Sequence, residues 1–318
     1  MSSVEVKLLR VDRIFHPGEL LEGIITVRTP HPTLPHLGIW VKAEGTVNLQ
    51  LSSKALGVLE SLYSNVKPIP LLSSHFEAAP AGQLEGPTNQ IPFSVKLDPA
   101  ESSSVLLETY HGAYVSVTYA ISVEVRRPVL KRTLQASAEF IIEGPRGRRP
   151  PPDPTFVDFA LTPDNQPEAL GSAIRAAGFQ VSGRVATRCC LAEPLTGELR
   201  LDHCGTQLHS IDLQVLRVEA VRVGGRMATE VTDVQTTQIA DGAPPAGLAL
   251  PLHVVLPRLL TCPTLSADAF SVAFRARVQL TFIAEPPRKW ALRPDAATEA
   301  RPDTVVASLD VPLHLLRC

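Results

Sequence analysis

From Val115 to Val125 every second residue is apolar, and the residues between them are mostly small or polar. Side chains on a β-strand point alternately to the two faces of a sheet, so this period of two predicts a long strand with one packed face. Gly112 just before the run predicts a turn that leads into the strand. A second long run with the same period extends from Val272 to Phe282. These two segments favour a β-sheet protein.

Further strand candidates are spread along the whole chain. They are the segments VEVKLLR, LEGIITVRT, HLGIWVKAEGTVNLQL, QIPFSVKL, LQASAEFIIE, GFQVSGRVAT, GELRLDH, IDLQVLRVEAV, GLALPLHVVL and TVVASLDVPLHL. In the eighth of these segments the apolar phase slips between Val215 and Leu216, which is typical of a β-bulge. Helical spacing occurs in one segment, SSKALGVLESLYSNV, where Gly57 weakens it. The expected fold class is therefore all-β with at most one short helix.

The segment GPRGRRPPPDP, from Gly144 to Pro154, divides the chain of 318 residues almost evenly. Three consecutive prolines form a stiff extended spacer that a sheet does not absorb. We therefore predict an N-terminal domain over residues 1–143, a linker over 144–153 and a C-terminal domain over 154–318. Each part has enough strands for one antiparallel β-sandwich. A second polar stretch, residues 284–303, predicts a long exposed loop.

Charge and cysteine content exclude several classes of protein. The chain has 30 basic and 32 acidic side chains, so no overall field attracts nucleic acid. The first residues lack the apolar block of a signal peptide, and no stretch approaches the roughly 20 apolar residues of a membrane span. The five cysteines are odd in number and fit no zinc spacing, which indicates reduced thiols. An intracellular, cytoplasmic protein is expected, and a cell-surface sandwich domain is disfavoured.

Candidate catalytic residues are few. The chain contains no phosphate-binding glycine motif, no G-x-S-x-G elbow and no H-E-x-x-H zinc motif. His111 stands beside Tyr110 at the entrance of the long strand, where a structural role competes with a catalytic one. His203 and Cys204 are adjacent and could pair a base with a thiol, so an enzyme with a cryptic Cys/His site remains the alternative reading.

Two further groups of side chains have a surface interpretation. His31 and His36 lie in a proline-rich segment, where a solvated loop is favoured over a metal site because further ligands are absent at diagnostic spacing. Basic residues gather before and after the strand LQASAEFIIE, at Arg126, Arg127, Lys131, Arg132, Arg146, Arg148 and Arg149. A solvated surface is the favoured reading of these charges, and contact with phosphoinositide head groups or an acidic partner is the alternative. No cofactor or metal ion is expected.

Several blocks of sequence resemble the arrestin-like trafficking adaptors. The segment VDRIFHPGELLEGIITV resembles the first hairpin of that fold, and ETYHGAYVSVTYAISVEV resembles its long strand, in which the position of His111 is variable. A finer resemblance is to the vacuolar protein sorting 26 family, in its C-type branch. It is carried, in order, by EGTVNLQLS, VKPI, ETYHG, PLTGEL, QIADG and PRLLTCPTL. The resemblance implies an arrestin-like fold of two antiparallel β-sandwiches in tandem.

The same resemblance implies a function and a set of partners. The C-type branch of the vacuolar protein sorting 26 family is a non-enzymatic scaffold or adaptor subunit of the retriever complex, which recycles endocytosed membrane proteins from endosomes. The implied partners are a vacuolar protein sorting 35-like α-solenoid subunit in direct contact, the vacuolar protein sorting 29 subunit in the same complex, and a sorting nexin that brings cargo. No nucleic acid is expected among the partners, and association with the endosomal membrane is expected to be peripheral and indirect.

One segment is the expected partner-binding site: Gln238, Ile239, Ala240, Asp241 and Gly242. Asp241 and Gly242 form a turn signal, and the apolar Ile239 just before it is expected at the exposed end of a short strand. In the related retromer subunit, the solenoid contacts the matching segment, where a bulkier side chain often occupies the position of Ala240. The resemblance therefore implies that the solenoid binds here.

Overall fold

The computed structural model describes residues 2–50, 67–100, 105–128, 131–144, 155–167, 170–223, 226–257, 261–283 and 304–318. The predicted helical segment up to residue 66, residues 145–153 of the predicted linker, and the predicted loop 284–303 lie outside these ranges. The chain divides into two compact units. One contains Met1–Arg146 and Val223–Ala228, and the other contains Gly147–Arg222 and Thr229–Cys318.

The first unit is built from β-strands. They are β1 Ser3–Leu8, β2 Ile14–Phe15, β3 Leu20–Arg28, β4 Thr33–His36, β5 Ile39–Leu49, β6 Ile69–Ala79, β7 Gly82–Glu85, β8 Thr88–Lys96, β9 Tyr110–His111, β10 Val115–Val125 and β11 Leu134–Ile142. One sheet has the order β1-β3-β8, and a larger sheet has the order β2-β11-β10-β5-β6, with β9 also paired to β10. Strands β4 and β7 form a separate pair. The pairing is antiparallel except between β2 and β11.

Strand β10 supplies much of the core of this unit, as its alternation predicts. Its odd-numbered residues from Val115 to Val125 are buried, and the residues between them are partly exposed. Tyr119 is 1% exposed, and its hydroxyl donates a hydrogen bond to the backbone oxygen of Leu107 at 2.7 Å. Its ring covers Gly45 on the neighbouring strand, where a Cβ atom would overlap the ring. The same alternation places Ser116, Thr118 and Ser122 on the outer face.

The second unit contains strands and a short helix. Its elements are β12 Phe156–Leu161, α1 Ser172–Ala177, β13 Phe179–Ala186, β14 Arg188–Cys190, β15 Leu195–Cys204, β16 Leu208–Val223, β17 Arg226–Asp241, β18 Ala249–Val254, β19 Leu265–Ser266, β20 Phe270–Ile283 and β21 Thr304–Leu316. A turn of 3-10 helix spans Pro163–Asn165. One sheet has the order β12-β13-β15-β18, and the other has the order β14-β21-β20-β16-β17, with β19 paired to β20.

The two units repeat one topology. Strands β1, β2, β3, β5, β6, β8, β9, β10 and β11 correspond in order to β13 through β21. Both units have a parallel pair at the same place, β2 with β11 and β14 with β21. Strand β12 and the pair of β4 and β7 are additions to the shared plan. This duplication is not visible in the sequence, because the two halves share the arrangement of strands and no recognisable run of residues.

The predicted bulge between Val215 and Leu216 is wrong with respect to the pairing of β16 with β20. Their register is continuous from Ser210 to Val221, and the shift lies earlier, between Leu208 and Ser210. The alternation of apolar residues shifts here because Arg217 and Glu219 occupy two core-facing positions. The two side chains form a buried ion pair in which Arg217 Nε lies 3.4 Å from Glu219 Oε1. Leu216, on the opposite face, is also buried.

Candidate functional site

The segment Gln238–Asp241 is the C-terminal end of β17, the last strand in the order of its sheet. Gly242 follows with a φ of 74°, a left-handed conformation that glycine adopts without steric cost. Its N–H donates to the backbone oxygen of His209 at 2.7 Å. The turn signal of Asp241 and Gly242 therefore corresponds to a chain reversal that is tied to the neighbouring strand β16.

The side chains of this segment differ in exposure from the expectation. Gln238 and Asp241 are exposed, whereas Ile239 and Ala240 are only partly exposed. Strand β17 has 16 residues, so the expectation that Ile239 ends a short strand is wrong. Most of β17 was not predicted from the sequence, because this strand is rich in Thr and charged side chains and shows little apolar alternation. The segment thus presents two polar side chains and part of one isoleucine.

The loop after Gly242 is held at both ends. Gly247, with a φ of 76°, donates its N–H to the backbone oxygen of Leu201 on β15 at 2.8 Å. Leu248 donates to the backbone oxygen of Pro245 at 3.1 Å, and its side chain is 48% exposed. Because one anchor lies on β16 and the other on β15, the loop is fixed to both sheets of its unit. It offers a preformed surface that begins at Gln238 and ends at Leu248.

A row of polar side chains crosses the sheet beside β17. Arg277 Nε lies 2.6 Å from Asp310 Oδ1, and Gln214 donates to Asp233 Oδ2 at 3.3 Å. Burial alone would raise the pKa of the Asp310 carboxyl, but hydrogen bonds and charges from Arg277 and Arg275 together lower it. The hydrogen bond with Asp310 raises the pKa of Arg277. These contacts join β20 to β21 and β16 to β17 on the outside of the sheet.

The stretch from Glu108 to His111 is structural. Thr109 Oγ1 accepts the N–H of Ile142 at 2.9 Å, and a Glu108 carboxylate oxygen accepts the N–H of Gly144 at the same distance. His111 lies on β9, is exposed, and has Nδ1 at 3.3 Å from Ser116 Oγ. Each of these three side chains contacts a nearby backbone or hydroxyl group. The stretch therefore stabilises the strand ends around a tight hairpin.

The Cys/His candidates do not form a paired base and nucleophile. The Cys204 thiol donates to the backbone oxygen of Thr206 at 3.1 Å, in the turn after β15. Cys189 and Cys190 are buried on β14, and burial raises the pKa of the Cys189 thiol to about 11. A thiol with a raised pKa is mostly protonated at neutral pH and is a weak nucleophile. These contacts disfavour the enzyme reading.

His31 and His36 have different surroundings. His31 is exposed, but His36 ends β4, is 5% exposed, and has Nδ1 in position to accept the N–H of Gly38 at 3.3 Å. The expectation of a solvated loop is therefore wrong for His36, because β4 pairs with β7 and covers it. Burial lowers the pKa of His36. Within the described ranges, no three His, Cys, Asp or Glu residues are grouped closely enough to hold a metal ion.

The basic residues after β10 have local partners. Arg126 lies over the ring of Trp40 at 4.9 Å, and its Nε is 3.8 Å from a Glu124 carboxylate oxygen. Arg127 Nε donates to the backbone oxygen of Arg132 at 2.6 Å. Trp40 and Arg126 also line an open pocket of about 330 Å³, which the sequence analysis did not identify. Arg146, Arg148 and Arg149 lie outside the described residues.

Comparison with known proteins adds two findings. The family model "Vacuolar protein sorting-associated protein 26" matches residues 4–285 of the chain. A protein of Dictyostelium discoideum called "Vacuolar protein sorting-associated protein 26C" is 31% identical over 283 residues, covering 86% of this chain and 92% of that protein. Among the described residues, no helix has the length and apolar character needed to cross a membrane.

Proposed function

Because the chain belongs to the vacuolar protein sorting 26 family, we propose that it is the subunit of a retriever-like complex that binds a vacuolar protein sorting 35-like α-solenoid. Membership of the family makes it a non-enzymatic subunit of an endosomal sorting complex with an arrestin-like, all-β fold. In the proposed complex the vacuolar protein sorting 29 subunit is a further member, a sorting nexin brings cargo, and endocytosed membrane proteins are recycled. The protein itself associates with endosomes peripherally from the cytoplasm.

We place the solenoid contact at Gln238, Ile239, Ala240, Asp241 and Gly242. The observation that carries this proposal is the anchored end of β17, where Gly242 is bonded to His209 and the side chains of Gln238 and Asp241 are exposed. A rigid surface loses little conformational entropy on binding, which favours association.

The test is binding of purified chain variants to the purified solenoid subunit, measured by calorimetry. Covering the remaining exposed part of Ile239 contributes less than the roughly 1.5–3 kcal/mol of a fully buried aliphatic side chain. A charge placed in the contact is the stronger probe, since an unpaired buried charge opposes binding. Ile239→Asp should abolish measurable binding. Asp241→Lys, at an exposed position that requires no repacking, should weaken binding without changing the melting temperature.

The matched control is Val231→Asp. Val231 is on the same strand, is 48% exposed, and lies eight positions before Ile239. This variant should bind the solenoid as the unchanged chain does. Full binding by both Ile239→Asp and Asp241→Lys would reject the proposed surface. If Ile239→Asp lowers the melting temperature strongly, the result for Asp241→Lys decides, because its side chain is already in solvent.

A further inference from the structure

Over most of its length β21 has one edge, called its free edge, with which no strand in the described part of the chain pairs. On one side it pairs with β20 from Thr304 to Leu313, and on the other side β14 pairs only with its last residues, His314 to Leu316. A free edge presents unpaired N–H and C=O groups, which can pair with a strand of another molecule. Val306 on this strand is 47% exposed, so an added strand would also cover apolar surface.

The register identifies which backbone groups face the free edge. In an antiparallel pair, alternate residues direct their N–H and C=O groups toward the partner, and the others direct them away. His314 donates its N–H away from β20, to the backbone oxygen of Thr187 at 2.6 Å, whereas Leu315 donates to Thr264 Oγ1 on the β20 side. The even-numbered residues of β21 therefore face the free edge. Among these are Ser308 and Pro312.

The Gln166 side chain occupies the edge at Ser308. Gln166 Oε1 accepts the N–H of Ser308 at 2.9 Å, and Gln166 Nε2 donates to the Ser308 backbone oxygen at 3.1 Å. An amide group has the same donor and acceptor as a peptide unit, so Gln166 makes the two bonds that one residue of a neighbouring strand would make. Both bonds go to Ser308 alone, so the Gln166 amide replaces one residue of a paired strand at this position.

The segment that carries Gln166 is itself held in place. Arg175 on α1 donates to the backbone oxygens of Pro163 and Gln166, each at 2.8 Å. Asn165 accepts the N–H of Thr162 at 3.1 Å and closes the turn of 3-10 helix that precedes Gln166. These bonds fix the backbone of the segment beside β21.

Pro312 provides the second block on the same edge. It lies opposite Arg275 of β20 and, as an even-numbered residue, would direct its N–H outward. Proline has no N–H, so the outer edge lacks a donor there without losing a bond to β20. Pro92 has the same placement on edge strand β8: Leu97 donates inward to Glu19, and the register places Pro92 among the outward-facing residues. Two unrelated edges thus have a proline at an outward position.

We propose that Gln166 and Pro312 close the free edge of β21 against a strand from a second copy of this chain. A second copy is the relevant occupant because β21 can pair with its own equivalent about a twofold axis, with the same residues on both sides. The closed edge of β21 is separate from the solenoid contact, since β20 and β16 lie between β21 and β17 in their sheet.

The experiment compares the purified chain with Gln166→Ala, Pro312→Thr and the double variant by sedimentation across a range of protein concentrations. The double variant should self-associate, with a weight-average mass that rises with concentration to about twice that of the monomer, because a twofold pair closes on itself. Pro80→Thr is the control, since Pro80 is exposed and lies just outside β6. Its mass should follow that of the unchanged chain.

Amide hydrogen exchange gives a second measurement that does not depend on association. Gln166→Ala at low concentration should speed exchange at the Ser308 N–H and leave Leu309, which faces β20, protected. A double variant that keeps the mass of the unchanged chain at every concentration, with an unchanged melting temperature, would overturn the proposal. If the double variant is unstable, the exchange of Gln166→Ala decides: an unchanged rate at the Ser308 N–H would then reject closure of the edge by Gln166.

Discussion

Thr109 and Thr264 occupy equivalent positions in the two units, and each bonds both backbone groups of one residue in the last strand of its unit. Thr109 donates its N–H to the Ile142 oxygen at 2.8 Å and accepts the Ile142 N–H on Oγ1 at 2.9 Å. Thr264 makes the same two bonds to Leu315, both at 2.9 Å. The repeated topology is thus matched by a repeated side-chain contact.

Replacing either threonine by valine should destabilise the unit that contains it. Valine keeps the shape of the side chain but leaves a strand N–H without its hydroxyl acceptor, which costs about 1–3 kcal/mol when the group is buried. Chemical unfolding of Thr109→Val and Thr264→Val should show lower midpoints than the unchanged chain. Serine at either position retains the hydroxyl and should restore most of the loss. Equal midpoints for valine and threonine would show that the bond contributes nothing.

His111→Ala should leave both stability and solenoid binding unchanged. The side chain is exposed, and its one described contact is the 3.3 Å approach of Nδ1 to Ser116 Oγ. Surface substitutions away from caps, turns and networks usually change stability by less than about 0.5 kcal/mol. The unfolding midpoint and the affinity for the solenoid measure the two effects. A variant that folds normally but loses binding would assign His111 a functional role.

The buried pair of Arg217 and Glu219 predicts an asymmetry between single and double replacement. Glu219→Leu removes a carboxylate that faces Arg217 in the core, and breaking such a pair costs about 3–5 kcal/mol. Replacing both residues, as Arg217→Met with Glu219→Leu, should recover most of this loss, because an apolar pair of similar volume has no desolvation penalty. Urea unfolding of the single and double variants tests this. A double variant as unstable as the single one would contradict it.

The lowered pKa of Asp310 predicts that the fold loses stability in acid. Its pKa is lowered in the folded protein, so the ionised carboxylate stabilises the fold above the ordinary value of 3.8. This contribution is lost as the pH falls through the lower, folded-state pKa. The melting temperatures of the unchanged chain and Asp310→Asn should therefore differ at neutral pH and converge in acid. Asp268→Asn, at an exposed position, is the control. A difference that does not change with pH would exclude the electrostatic origin.

The predicted linker between the two domains can be tested by limited proteolysis. Residues 144–153 contain Arg146, Arg148 and Arg149 next to three prolines, and we predict that they join two separately folded sandwiches over residues 1–143 and 154–318. Brief trypsin treatment should cut at one of these arginines and give two fragments that each unfold cooperatively. Cleavage followed by unfolding of both fragments would reject the predicted domain boundaries.

The pattern of apolar residues was sufficient to predict the main strands. The alternations that became β10 and β20 were confirmed because each strand has one buried face, so solvent exposure changes at every residue. Strand β6 was missed, and so was most of β17. Both lie at sheet ends, where polar and small side chains are tolerated and the apolar period is weak. For the candidate site, the sequence predicted the turn at Asp241 and Gly242 but not the partial burial of Ile239.

The sequence by itself determined the all-β class, the family and the absence of a recognisable catalytic motif, because each depends on short runs of neighbouring residues. Only the tertiary structure decided that Glu219 pairs with Arg217 in the core. The same holds for the hydrogen bonds of Thr109 with Ile142 and of Gln166 with Ser308. Thr109 and Ile142 are 33 positions apart, and Gln166 and Ser308 are 142 apart. Hydrogen bonds act over about 3 Å in space, and which distant groups come that close is set by strand order and register, which no local pattern specifies.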